Sequence, residues 1–169
     1  LGALHDIDAL TRLEAIEAIG FIADHDVNVV RPYLGDLVYY LHSEDKAVDD
    51  SIVIALSQFA HHSPTSLESH VETLSPLPSE TDPEIMATVA YILGEIAGEN
   101  PDAIEGCTGQ LQDNLDHVDA GVRINAAWAL SVAGVDDETA EIITKRLAQE
   151  SYLNCEDAEL RQRAVETLE

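Results

Sequence analysis

Aspartates spaced 37 residues apart each precede an apolar helical pattern along this chain. The series consists of Asp8, Asp45, Asp82 and Asp119, followed by Asp157 at a spacing of 38. When each aspartate is counted as position 0 of a repeat, mostly apolar residues recur at positions 3, 7, 11 and 14. These positions share one face of an α-helix, because each residue turns the helix by about 100°. The sequence therefore predicts a repeat protein in which each aspartate is the N-cap of an amphipathic helix.

A second apolar helical pattern lies between consecutive aspartate-started helices. One example is formed by Val30, Leu34, Leu37, Val38 and Leu41. Turn-forming residues separate the two patterns, and Gly98 and Gly134 stand where two of the aspartate-started helices are expected to end. Two helices of about 12 to 17 residues per period predict an all-α, right-handed α-α superhelix of about nine helices. We expect residues 1–169 to form a single repeat domain.

Two repeats carry a motif that extends beyond the apolar positions. The segments are Asp119-x-x-Val122-Arg123-x-x-Ala126-x-x-Ala129-Leu130 and Asp157-x-x-Leu160-Arg161-x-x-Ala164. They resemble the second helix of HEAT repeats, including the short form found in phycobilin-lyase-like proteins. The resemblance covers nearly the whole chain and implies a HEAT/armadillo-like solenoid with the aspartate-started helices on its concave side. It implies less about activity, because HEAT arrays serve as scaffolds, adaptors and occasionally enzymes.

The charge balance excludes some classes of partner. The chain has 33 acidic and 8 basic side chains and a formal net charge of -25, with 46% apolar residues that suffice for a folded core. Nucleic acid and anionic membrane surfaces require clustered positive charge, so neither is an expected partner. The acidic excess resembles the composition of salt-in halophilic archaea, where multimolar KCl shortens the Debye length to about 3 Å or less.

Compartment and cofactor are predicted from what the sequence lacks. No apolar run approaches the roughly 20 residues of a membrane span, and residues 1–6 lack the start of a signal peptide. We therefore expect a cytoplasmic protein without a cofactor, whose isolated Cys107 and Cys155 remain thiols. Because the chain begins without Met and stops inside a helical pattern, we expect it to be part of a longer array.

Position 9 of the repeats presents large side chains away from the apolar face. Positions 5 and 9 lie near 140° and 180° on the helix, towards the predicted concave surface. The centre of the position-9 row is Ile54, Tyr91 and Trp128, flanked by Ala87 and Ile124 at position 5. Small residues at position 12 are expected to leave a groove beside them, namely Gly20, Ser57, Gly94 and Ser131. These large side chains are candidates for partner binding. The alternative is that a tight superhelix or a dimer covers them.

Histidines offer a second candidate site. Asp24, His25, His61 and His62 occupy neighbouring turns and supply oxygen and nitrogen atoms suited to a divalent metal. Their spacing matches no specific metal signature. Histidines at helix ends also interact favourably with terminal carbonyls and with the helix dipole, which is the structural alternative.

These features predict a protein-interaction scaffold or adaptor that binds a peptide or helix of a partner protein on its concave face. No nucleophile motif or paired carboxylates suited to acid-base work can be singled out, which argues against catalysis. The alternative is a lyase- or isomerase-like enzyme, similar to bilin lyases, that uses the same cleft for a small hydrophobic ligand.

Overall fold

The computed structural model describes residues 8–41, 46–75, 82–149, 162–165 and 167. These residues form helices and turns and no strand, which confirms the all-α prediction. The chain divides into two compact units, an N-terminal unit, Leu1–Leu74, and a C-terminal unit, Ser75–Glu169. That all 169 residues form a single repeat domain stays a prediction.

The N-terminal unit is built around two long helices. Its α-helices are α1 (Ala9–Val30), α2 (Leu34–Tyr40), α3 (Lys46–His62) and α4 (Val71–Leu74). The 3-10 helices Arg31–Tyr33 and Pro64–His70 precede α2 and α4. Helices α1 and α3 pack against each other, and apolar side chains from both are buried, among them Ile16, Ile19, Ile52, Leu56 and Phe59.

The C-terminal unit repeats this plan. Its α-helices are α5 (Pro83–Glu99), α6 (Thr108–Asn114), α7 (Ala120–Ala133) and α8 (Asp137–Gln149), and the 3-10 helix Pro101–Cys107 precedes α6. Helices α5 and α7 pack against each other, and residues 162–165 are helical as well. The described residues thus contain eight delimited α-helices, close to the predicted nine. Among them, no helix has both the length and the apolarity that crossing a membrane would require.

The predicted aspartate N-caps are present wherever the structure describes them. The Asp8 carboxylate accepts the Leu10 N–H at 3.3 Å, and the Asp82 carboxylate accepts the Glu84 N–H at 2.9 Å. The Asp119 carboxylate accepts the Val122 N–H at 3.1 Å. Each cap satisfies an amide that the helix leaves without a partner, which typically stabilises it by about 1 kcal/mol. Asp45 and Asp157 lie outside the described residues.

The turn inside each hairpin also follows the 37-residue period. Asp26, Ser63 and Asn100 are spaced by 37 residues and share a non-helical backbone, with φ of -154°, -158° and -146°. A polar residue therefore interrupts the helical path at the same place in three repeats. Gly134 ends α7 in the left-handed conformation with φ of 75°, as its position predicts. Helix α5, in contrast, continues through Gly98 to Glu99.

Helix α8, the second helix of the fourth repeat, has 13 residues and fits the predicted length of about 12 to 17. The second helix of each of the first three repeats differs from that prediction. It begins as a 3-10 helix with Pro32, Pro64 or Pro101 in its first turn, and an α-helix of four or seven residues follows. Proline fits a first helical turn because it has no N–H to donate. None of these 3-10 helices has a side-chain cap. Proline alone does not impose 3-10 geometry, since α5 starts with Pro83 and is α-helical; the missing side-chain cap distinguishes these three starts from that of α5.

Candidate functional site

The residues predicted for the binding surface differ in exposure. Ile54 lies on α3 in the N-terminal unit and is 60% exposed. Ala87, Tyr91 and Trp128 lie on α5 and α7 in the C-terminal unit and are partly exposed. Ile124 is fully buried. A continuous ladder of Ile54, Tyr91 and Trp128 combines both units and stays a prediction, so the face of each unit is described by itself.

The burial of Ile124 differs from the exposure that was predicted for it at position 5. On an isolated helix this position points away from the apolar stripe, but α7 is buried on more than one side. The alanines at 126, 127 and 129 are also fully or almost fully buried, as their small side chains permit close packing around this helix. Ile124 is therefore a core residue and is not available to a partner.

The N-terminal unit has an open groove between α1 and α3, which we call the N-terminal groove. It encloses about 340 Å³ and is lined by Glu17, Gly20, Phe21, Asp24, Ser51, Ile54 and Gln58. Its apolar walls are accessible, since Phe21 is 70% exposed and Ile54 is 60% exposed. Two carboxylates lie among its lining residues, and the described lining contains no lysine or arginine.

Gly20 brings the two helices of this groove close together. A Cβ atom built on Gly20 would lie 3.4 Å from the Cα and Cβ atoms of Ala55. The small residue predicted at position 12 therefore lines a groove in this unit, as the sequence suggests. Phe21, the neighbouring residue at position 13, was not among the predicted site residues. An aromatic side chain outside the apolar stripe is the sequence signal that would have identified it.

The C-terminal unit carries an aromatic cluster on its position-9 face, formed by Tyr91, Trp128 and Arg163. The rings of Tyr91 and Trp128 stack with centroids 5.8 Å apart and planes inclined by 19°. The Arg163 guanidinium lies 4.3 Å from the centroid of the Tyr91 ring and 5.8 Å from that of Trp128. Both distances are within the range of a cation–π interaction, so this pair of rings holds a cation from its own chain.

Gly94 lies beneath the aromatic cluster. A Cβ atom at this position would overlap the Trp128 ring, so the glycine permits the ring to lie against α5. The space that position 12 was predicted to leave open is therefore filled in this unit. This outcome contrasts with Gly20, whose neighbour is the small side chain of Ala55.

Asn125 on α7 forms hydrogen bonds both to α5 and to Arg163 of the aromatic cluster. It is 4% exposed, and its Nδ2 atom donates a hydrogen bond of 2.8 Å to the carbonyl oxygen of Ala87 on α5. Its Oδ1 atom accepts a hydrogen bond of 3.0 Å from the Nη1 atom of Arg163. Asn125 and Arg163 both occupy position 6 of their repeats, a row that the sequence analysis did not single out.

The histidine candidates are neighbours in the structure, as predicted. The Nε2 atom of His62 lies 3.5 Å from Oδ1 of Asp24, and the rings of His61 and His62 lie 4.9 Å apart at 74°. The Nδ1 atom of His25 is 2.9 Å from the carbonyl oxygen of Phe21 and 3.7 Å from Asp24. Across the described part of the chain, no three His, Cys, Asp or Glu side chains are grouped to hold a metal ion. The contact between His62 and Asp24 instead connects the C-terminal end of α3 to α1, close to the interruption of α1 at Asp26.

A known family matches nearly the whole chain. The family described as the adaptin N terminal region matches residues 2–169. No curated protein matches the sequence.

Similar solved structures are helical-repeat proteins of engineered or designed origin. An engineered protein is 25% identical with a TM-score of 0.75, covering 98% of this chain and 74% of that one. A designed armadillo repeat protein is 20% identical with a TM-score of 0.74, covering 98% and 78%. Another, in complex with the peptide (KR)4, is 21% identical with a TM-score of 0.71, covering 98% and 79%. These likenesses and the family match confirm a HEAT-type repeat family and an all-α solenoid. Likeness to the phycobilin-lyase form stays a prediction.

Proposed function

The chain belongs to the adaptin N-terminal region family, and from that premise we propose that it is a protein-interaction scaffold that holds a peptide or helix of a partner protein. The N-terminal groove is the observation that carries this proposal. Phe21 and Ile54 expose large apolar surfaces beside a concave space, and such side chains are typical anchors of protein interfaces.

The size of the groove favours side chains over a large ligand. A space of about 340 Å³ accommodates one or two amino-acid side chains and lies at the lower limit of small-molecule pockets. Designed armadillo repeat proteins with a similar fold support a peptide as the occupant, since one is in complex with (KR)4 and another is described as built for modular peptide recognition.

The position-9 residues of the C-terminal unit belong to the same proposal. Tyr91 and Trp128 are partly exposed, and Ala87 is partly exposed beside them on α5. Their outer surfaces give the C-terminal unit an apolar contact of its own for a partner protein. Ile124 is buried and contributes through the packing of α7 alone.

The proposed working environment is the concentrated salt of a halophilic cytoplasm. A net charge of -25 is compatible with a compact fold there, because mobile ions screen repulsion between carboxylates. Long-range attraction between charged proteins is screened to the same extent. Apolar surface and short-range hydrogen bonds therefore account for most of the binding.

Affinity capture at multimolar KCl, with a photo-cross-linking amino acid at Ser51, tests the proposal. The baits are the wild type, the double variant Phe21→Ala/Ile54→Ala and the control Tyr39→Ala, which removes an aromatic ring 74% exposed on α2. We expect the wild type and the control to capture and cross-link the same segment of a partner. We expect the double variant to lose it, because truncating an anchor typically costs about 2 kcal/mol of binding or more.

Two outcomes would count against a scaffold that uses this groove. If all three baits recover the same partner at equal yield, the groove is not the binding site. If no protein is captured and a coloured or small hydrophobic compound co-purifies with the wild type, the lyase- or isomerase-like alternative replaces the scaffold.

A further inference from the structure

The C-terminal unit shows how a position-9 face of this protein can hold a guanidinium group. Arg163 stacks over Tyr91 and donates a hydrogen bond to Asn125, so one arginine uses an aromatic surface and an oxygen acceptor together. This combination suits arginine, whose planar cation stacks on rings and donates in fixed directions. The contact of Arg163 within its own chain shows that the position-9 face can accommodate an arginine side chain.

The described lining of the N-terminal groove offers the same two kinds of surface and includes no arginine. Phe21 supplies an exposed ring and Ile54 an exposed aliphatic wall, while Glu17 and Asp24 supply carboxylate oxygens. No lysine or arginine is among the described lining residues, although Asp24 faces His62 at 3.5 Å. The groove is therefore complementary to a long side chain with an apolar stem and a cationic head.

We propose that the N-terminal groove binds an arginine side chain, with a neighbouring apolar residue, from an extended segment of a partner protein. This inference rests on the proposed function and specifies the chemistry of its occupant. The arginine stem packs on Phe21 and Ile54, and its guanidinium donates to the carboxylates of Glu17 and Asp24. Groups in direct contact leave no room for mobile ions between them, and partly buried pairs are screened much less than exposed ones, so these contacts persist where long-range attraction does not.

A pair of synthetic peptides tests the cation directly. The probes are octapeptides of alternating leucine and arginine or of alternating leucine and citrulline, which is neutral but close to arginine in shape. We expect the arginine peptide to bind the wild type about tenfold more tightly, in line with charge-assisted hydrogen bonds. Backbone amide shifts in an NMR titration at about 0.2 M and about 2 M KCl should centre on Phe21 and Ile54 in both conditions.

Two double variants with the same net charge distinguish binding of arginine in the groove from nonspecific electrostatic attraction to the acidic surface. Glu17→Gln/Asp24→Asn should remove the preference for arginine over citrulline. Glu72→Gln/Glu105→Gln, which neutralises two exposed carboxylates outside the groove lining, should retain it.

Equal affinity for the two peptides would overturn the inference, as would shifts located outside the groove or no binding by either peptide. These failures differ from failure of the scaffold proposal. A partner segment that depends on Phe21 and Ile54 but contains no arginine at the cross-link would leave the scaffold in place and remove this inference alone.

Discussion

The N-terminal groove and the aromatic cluster use the same repeat positions with opposite results. In each unit a glycine at position 12 faces the helix that carries the position-9 side chain of the next repeat. In the C-terminal unit that side chain is Trp128, whose ring lies on Gly94 and fills the space. In the N-terminal unit it is Ile54, which remains 60% exposed beside the open groove. The side chain at position 9 of the next repeat therefore determines whether the glycine at position 12 lies beside an open groove or beneath a packed ring.

Salt is expected to have the largest effect, because it acts on both units at once. With a net charge of -25, repulsion between carboxylates opposes the folded state at low ionic strength. Raising KCl from about 0.2 M to about 2 M should raise the melting temperature, measured by circular dichroism. A melting temperature that is flat or falls over this range would contradict the halophilic interpretation. Separate melting steps whose salt dependences differ would sharpen the contrast between the units.

Truncation at position 9 tests the contrast most directly. Trp128→Ala removes a ring that contacts Gly94, Tyr91 and Arg163, so it should lower the free energy of unfolding by about 2 kcal/mol. Ile54→Ala removes a largely exposed side chain and should cost about 0.5 kcal/mol or less. Chemical denaturation of both variants measures the difference. Equal losses would mean that Ile54 is as much a packing residue as Trp128.

Helix starts were predictable from the sequence because they depend on local chemistry. The N-caps at Asp8, Asp82 and Asp119 need one carboxylate and an amide two or three residues later. The division of the second helices into 3-10 and α segments was not predicted, because apolar periodicity alone does not distinguish the two geometries over a single turn. Proline in the first turn was not a sufficient signal, because α5 also starts with a proline, Pro83, and is α-helical.

The candidate site was less predictable than the fold, because exposure depends on neighbouring helices. Angles on an ideal helix correctly placed Ile54 on an accessible face, yet the same angles predicted that Ile124 would be accessible. Ile124 is buried because α7 has neighbours on more than one side, which no single-helix projection includes. Arg163 joins the site through stacking between repeats, and its own repeat gives no local indication of that contact.

Adding a methyl group at each glycine is expected to have the next largest effect. Gly94→Ala would overlap the Trp128 ring and should destabilise the protein by about 1 kcal/mol, after allowing for the higher helix propensity of alanine. Gly20→Ala would place its Cβ 3.4 Å from Ala55, which is ordinary contact, so it should be neutral or stabilising. Denaturation midpoints of the two variants provide the measurement. A stabilising Gly94→Ala would show that the ring does not depend on the glycine.

Removal of the cation from the aromatic cluster should have a smaller effect. Arg163→Gln loses the stacked guanidinium and its hydrogen bond to Asn125, at a cost of about 0.5 to 1 kcal/mol. Arg163→Lys keeps the charge but not the planar stack, and it should recover part of this loss. The emission of Trp128, the sole tryptophan of the chain, reports the local change. Unchanged emission and stability in Arg163→Gln would show that the cluster holds together without its cation.

The smallest effect concerns the N-cap at the start of α8 in the C-terminal unit. The Asp136 carboxylate accepts the Thr139 N–H at 2.8 Å, and hydrogen bonds from the Thr139 backbone and side chain lower the pKa of Asp136 below its ordinary 3.8. Because the pKa is lowered by folding, the stabilising contribution is present above the unfolded value and is lost as the pH falls through the folded one. Carbon-detected NMR of the carboxyl group should give a midpoint below 3.8, and Asp136→Asn should show weaker acid dependence of its stability than the wild type. A midpoint at or above 3.8 would show that the cap does not bind its amide in solution, and α8 would then start without the support that Asp8, Asp82 and Asp119 give their helices.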